Sequence, residues 1–330
     1  MRASLLTICS LVAGCVGPSS GLPNDWQGGT YDAALCGTDR GPACVALPHL
    51  AAALSVCGDL RQDNTLTVEG DLLIAGSTTT ASPLHVVGSL YSRGSIDARN
   101  TQQIGGSLFT DGDWRTSAPV EVADDATVSG TLQADNTVAV GGMLRAAGQN
   151  GSGQVSASGV GPPIPFVSPI DCGVVASPNL ARNPILPSEA LVHLTVPTDL
   201  TLGCGTYRFS SLTADNTLRL RVTGRTMIQI DGDVRIASPT VIDVAPGASL
   251  VLFVGGALAV DNTLDIGRAD VRVAGQIRIA APLHLAGSLY APTSSVAADN
   301  TIDISGAATV GALRVASPFV LHATALPTCQ

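Results

Sequence analysis

The sequence contains no lysine: every one of its 17 basic residues is arginine. That excludes Schiff-base and lysine-nucleophile chemistry. Against 26 acidic residues the arginines leave a net charge of −9. With no basic block anywhere, no nucleic-acid partner is expected. Aromatics are 3% of the chain, so any core has to be built from Val, Leu, Ile and Ala. No Cys-x-x-Cys pair occurs, which argues against zinc. Gly-x-Ser-x-Gly, His-Glu-x-x-His and a glycine-rich phosphate loop are absent too. His85 and His284 hold repeat-equivalent outward positions 199 residues apart, while His49, His193 and His322 lack a patterned partner. Carboxylates do not cluster on a face, as glycoside chemistry would require. The expectation is a protein without catalytic residues, metal or cofactor.

What the sequence has is a repeat. Residues 65–148 divide into fourteen hexads whose sixth slot is Gly nine times and otherwise Ser82, Asn100, Ala118, Asp124 or Asn136. The second slot is apolar in twelve, with Thr78 and Gln102 the exceptions, and the fourth is Val, Ile, Ala, Thr or Ser. Two inward residues separated by an outward one, followed by a corner, describe a short strand of period two and a turn. Asn64, Asn100 and Asn136 recur every 36 residues, with Ser82-Pro83 and Ala118-Pro119 midway. One corner therefore alternates between two chemistries every 18 residues, and three hexads make a turn. The predicted fold is all-β, a triangular parallel β-helix of about 18 residues per turn. A β-sandwich would also give regular turn signals, but its loops vary in length.

The pattern breaks after Gly148 and resumes near residue 199. There the corner recurs at Asn216, Asn262 and Asn300, interleaved with Ser238-Pro239, Ala281-Pro282 and Ser317-Pro318. PLHVVGSLY at 83–91 is nearly repeated as PLHLAGSLY at 282–290. The domain reading is a first coil over 59–148, a linker or insertion over 149–198 and a second coil over 199–330. Read in chain order as one straight rod, Cys57 and Cys329 would lie tens of ångströms apart, so a bridge between them would exclude that shape.

Residues 1–15, with Arg2, an apolar run from Leu5 to Val12 and small residues before Cys15, read as an export signal. Val12-Ala13-Gly14-Cys15 resembles the lipobox of bacterial lipoproteins, which implies lipidation of Cys15 and a membrane partner through the acyl chain. Val16 after the cysteine implies, by the same resemblance, the outer membrane of a diderm bacterium. Residues 16–46 read as a flexible tether. Residues 47–58, with Pro48 near the start and Gly58 at the end, read as a capping helix. Cys36, Cys44, Cys57, Cys172, Cys204 and Cys329 are an even set suited to disulfides in an exported protein, with fifteen connectivities open.

The Asn corner is expected to be structural: Asn64, Asn100, Asn136, Asn216, Asn262 and Asn300 tolerate corner conformations and line up as a ladder. Copies two turns apart are too distant to share a calcium ion. Outward third slots at steps of 18 give Leu73, Tyr91, Phe109, Thr127 and Arg145. This row is either a binding face for a sugar or partner, or a surface that the rest of the chain covers.

The first coil, with TVEGDLLIAG at 67–76, resembles the bactofilin family of polymer-forming β-helix proteins. The resemblance implies a right-handed coil and a capacity for self-association. The second coil, with LGCGTYRFSSL and GALRVASP, is similar to an uncharacterised bacterial surface β-helix domain found in pilus-associated and anchored proteins. These readings imply a non-enzymatic cell-surface lipoprotein with a structural or adhesive role, its partner a surface glycan or another surface protein. The alternatives are a carbohydrate-binding or polysaccharide-degrading β-helix and a self-assembling filament.

Overall fold

A computed structural model of the chain describes residues 53–165, 172–178 and 191–323. Most hexads form a three-residue strand with the burial pattern the slots demand, as at Leu66–Val68, Leu84–Val86 and Trp114–Thr116, and the others run on in the longer strands Ala126–Ala134 and Met143–Asn150. Inward residues stack directly: Leu54 on Leu72, Leu72 on Leu90, Leu90 on Leu108. All pairings are parallel, and the result is a β-solenoid of about 13 turns with about 19 residues per turn. Twelve steps of about 4.8 Å give a rod some ~58 Å long.

The two coils differ in girth. Turns over residues 54–144 take 18 residues, as in Leu108 on Ala126. Those over the C-terminal coil take 20 at Leu200 on Leu220, 22 at Leu220 on Ile242 and 24 at Ile242 on Ile266. The wider turns leave an apolar cavity of about 50 Å³ among Leu200, Phe209, Leu220, Ile228, Ile242 and Leu252. In the narrower coil the lumen admits polar side chains instead. Gln62, Thr78, Thr80 and Gln102 are buried inside it, and Gln102 Nε2 donates to Thr80 Oγ1 at 3.0 Å. Gln62 Oε1, Thr78 Oγ1, Gln102 Oε1 and Trp114 Nε1 find no partner among the described residues.

Two expectations about boundaries change. Leu54–Val56 is a strand, and among the described residues there is no helix; residues 47–52 of the expected cap lie outside them. The reason is packing. Leu54 and Val56 fall in inward slots between Leu72 and Ile74 on one side and Ala308 and Val310 on the other. Two ladders outweigh the helical preference of an Ala- and Leu-rich run. The expected insertion is also shorter, because the first coil runs on through Val155–Ser156 and Gly159–Gly161 and the second begins at Leu191–Leu194.

The order of the coils is the main departure from the sequence reading. The last strands of the chain do not lie at an end of the rod. Ala308 pairs with Leu54, Leu313 with Leu60 and Phe319 with Leu66, so the top turn of the C-terminal coil forms the floor of the N-terminal one. Along the rod the sequence runs 191–322 and then 54–161. Three faces of backbone hydrogen bonds close this seam, among them Cys57 N–H to Val310 O at 2.7 Å, Asp63 N–H to Val315 O at 2.8 Å and Glu69 N–H to Leu321 O at 2.8 Å. Ala53 and Ala323 both lie against Gly70. The two ends of the described chain thus meet at mid-rod, and the separation expected for an uninterrupted straight winding does not hold.

Candidate functional site

Corner chemistry explains how the turns hold together. Asn100 donates Nδ2 to Ala81 O at 3.3 Å, one turn back, and its Oδ1 accepts the Thr101 N–H at 2.8 Å. Asn136, Asn216, Asn262 and Asn300 repeat this pair of bonds. In the alternate turns Ser82 Oγ donates to Asp63 O, Ser238 Oγ to Asp215 O and Ser317 Oγ to Asp299 O, all at 2.9 Å. Asn64 Nδ2 donates to Ala316 O across the seam at 3.3 Å. The alternation of Asn and Ser-Pro therefore passes the seam in phase. That phase was present in the sequence, since the second coil ends on Ser317-Pro318 and the first opens on Asn64.

A second ladder escaped the sequence reading. The slot after most corners of the first coil carries Asp or Ser, and at several of them its side-chain oxygen accepts a backbone N–H one turn on. Asp59 takes Ser77 N–H at 2.8 Å, Asp71 takes Ser89 N–H at 2.7 Å and Asp113 takes Thr131 N–H at 2.8 Å. Asp125 takes Met143 N–H at 2.7 Å and Arg145 at 2.8 Å. The Met143 N–H first, and the guanidinium second, hold the Asp125 carboxyl below the ordinary carboxylate range. This ladder also explains the glycines. A Cβ at Gly76 would lie 2.6 Å from the Gly58 backbone and closer still to Asp59 Oδ1. The signal was the recurrence of Asp or Ser in slot one.

The candidate binding row, Leu73, Tyr91, Phe109, Thr127 and Arg145, lies on one face in register. Tyr91 and Phe109 stack, centroids 5.0 Å apart and planes within 3°. Leu73 and Thr127, however, are each only 1% exposed, and Arg145 pairs with Asp125 at 2.8 Å. The row continues through the seam along Ser55, Thr309, Tyr290, Arg272, Phe253 and Gln229. Of these Ser55, Thr309, Tyr290, Phe253 and Gln229 are buried, although all point outward in the ladder. The other two faces differ: Arg61, Arg115, His85, Gln103 and Glu121 in the same slots are exposed.

The part of the covering layer within the described residues is the return of the chain. Gly161 ends the coil at one extremity, Leu191 starts it at the other, and Cys172 is disulfide-bonded to Cys57 at the seam between them. Gly173 lies so close to Tyr290 that a Cβ there would come within 2.6 Å of its hydroxyl oxygen. Gly161 and Cys172 lie six steps of the rod apart, about 29 Å.

Of the other cysteines, Cys204 is not bridged; it sits half-buried in the first turn of the C-terminal coil, six turns from the seam. Cys15, Cys36, Cys44 and Cys329 lie outside the described residues. Ionic pairs are peripheral. Asp97 bonds Arg99 at 2.6 Å instead of its vertical neighbour Arg115, which approaches Asp135 at 3.9 Å. His193 bonds Asp215, the carboxylate beside the Asn216 corner. At the seam His322 stands 3.0 Å from Glu69 and 3.7 Å from Asp303, and His284 is 3.8 Å from Asp303. No group of three His, Cys, Asp or Glu among the described residues is placed to hold a metal ion.

Residues 179–326 match a domain family described as a domain of unknown function, DUF7305. The chain carries that domain as its C-terminal coil. No curated protein and no solved structure matches the chain. The N-terminal coil therefore adds six further turns on top of a DUF7305 solenoid, in register with it.

Proposed function

We propose that the chain is an exported, lipid-anchored structural rod of the bacterial envelope, non-enzymatic and held through Cys15, with a structural or adhesive role towards a surface glycan or another surface protein. The observation that supports this best is the parallel ladder of about 13 turns, unbroken by the seam. Such a ladder resists pulling and proteolysis because every turn is hydrogen-bonded above and below. A disulfide in the described structure fits an oxidising compartment. The covered aromatic row gives no support to a carbohydrate face there, since Leu73 and Thr127 are buried.

In this reading the tether from Cys15 reaches the rod at its waist, 38 residues on at Ala53, and not at a tip. Expression in a diderm host with its own leader is the test. The wild type is expected in the membrane fraction with an intact mass raised by a diacylglyceryl and acyl modification, and Cys15→Ser in the soluble fraction without it. Soluble wild type of unmodified mass would overturn the anchored reading.

A further inference from the structure

Within each coil, successive turns are covalently continuous, so parting them means unwinding the chain. The seam is different. Its turns are joined by backbone hydrogen bonds, by Asn64 to Ala316 O and by ion pairs such as His322 with Glu69 and Arg314 with Asp63. No peptide bond crosses it. The covalent route from the N-terminal coil to the C-terminal one leaves at Gly161, at the far tip, and reaches Leu191 thirty residues later at the opposite tip. The disulfide shortens that route. Cys57, in the first turn above the seam, is bonded to Cys172, nineteen residues before Leu191.

We propose that the Cys57–Cys172 disulfide is a redox latch that keeps the two coils stacked at the seam, and that its reduction by a dithiol lets them part there while each coil stays folded. Cys172 is exposed and Cys57 half-buried, so the sulfur open to attack belongs to Cys172. A thiolate of the dithiol attacks Cys172 Sγ, and Cys57 leaves as a thiolate and takes up a proton. The second thiol of the reductant then displaces Cys172 as its thiol, and the reductant departs as a disulfide. Two electrons and two protons pass to the protein, and no further reactant is needed.

The size of the effect follows from tether length. For the parted state the connection is counted as an ideal chain, whose root-mean-square span is about 5.5 Å × √n. Thirty residues reach about 30 Å on average, yet without the bridge they must span the whole rod, about 58 Å. Nineteen residues reach about 24 Å and with the bridge need cover only about 29 Å. The Gaussian weights of these two closures differ on the order of 50-fold in favour of the bridged protein.

Hydrogen exchange on the intact chain, with and without dithiothreitol, reads this directly. The seam reporters are the N–H groups of Cys57, Asp63, Glu69 and Phe319, each bonded across the seam. The controls are Gly94 N–H to Gly76 O and Asp261 N–H to Ile236 O, one in each coil. Reduction is expected to speed exchange of the seam amides on the order of 50-fold, to leave the controls unchanged, and to be reversed by reoxidation. The Cys57→Ser variant is expected to behave as reduced protein and to ignore dithiothreitol. Seam amides that do not respond to reduction, or controls that accelerate in step with them, would overturn the proposal, the second result making the bridge a global staple.

Discussion

If the rod really winds 191–322 and then 54–161, a circular permutant that follows this order should fold more readily than the natural chain. The perturbation is a chain starting at Leu191, joining Ala323 to Ala53 through about four Gly and Ser residues, and ending at Pro178. Both junction residues lie against Gly70, so a short linker spans them without strain. The Cys57–Cys172 loop keeps its separation of 115 residues, so the disulfide contributes equally to both chains. What changes is the seam. Leu54 and Ala308 pair across 254 residues in the natural chain; in the permutant they are about 20 apart. Loop closure scales as (3/2)RT ln n, so the seam becomes about 2 kcal/mol less costly to form. Guanidinium unfolding followed by far-UV circular dichroism is the assay, and the midpoint is expected to rise by the equivalent of that figure with the slope unchanged. A permutant that gives no β signal with its disulfide intact, or a lower midpoint, would refute the winding order.

Gly76→Ala drives a methyl into the Gly58 backbone and the Asp59 carboxylate, and should cost about 3 kcal/mol by thermal unfolding. Gly247→Ala is the contrast: its φ is +81°, but nothing lies within 4 Å of the added carbon, so only backbone strain of about 1 kcal/mol is expected. Thr78→Val removes a hydroxyl that has no partner in the lumen, and should raise stability by about 1 kcal/mol. Asp125 has a folded pKa below its unfolded one, so its contribution is present above the unfolded value near ~3.9 and is lost as pH falls through the folded value. The stability gap between wild type and Asp125→Asn, measured by urea unfolding from pH 7 down to pH 2, should therefore be constant above about pH 5 and close below it.

The coil was legible because its signal is local and repeated. Leu66, Leu84 and Val120 alternate with outward residues and end on a corner, and nothing in the tertiary structure competes with that arrangement. Leu54–Val56 is the opposite case: it lies in a run that reads locally as a helix, and two flanking ladders fix it as a strand. The glycine slots were visible, but their cause was not, since Asp59 meets Gly76 only once turns are stacked. The outward row of Leu73, Tyr91 and Phe109 is legible as a row, with covering by the rest of the chain as one of its two readings, but the sequence does not say what covers it. Gly173, which lies against Tyr290 further along the row, belongs to a segment whose Gly, Ser and Pro content carries no periodicity. The seam is a long-range pairing of residues about 250 apart, and the one local trace of it, the phase of Asn and Ser-Pro corners, has meaning only after the two coils are known to meet.

The winding order also bears on how the protein is made. Synthesis delivers residues 54–161 first, and the floor of that coil, from Leu54 to Val68, has no neighbour beneath it until Ala308 to Leu321 leave the ribosome. For nearly the whole of translation the newborn coil presents a raw strand edge, the kind of surface on which nascent chains adhere to one another. A protein built this way needs either a holding chaperone or a slow, late closure, and products truncated after Gly306 would keep that edge permanently open.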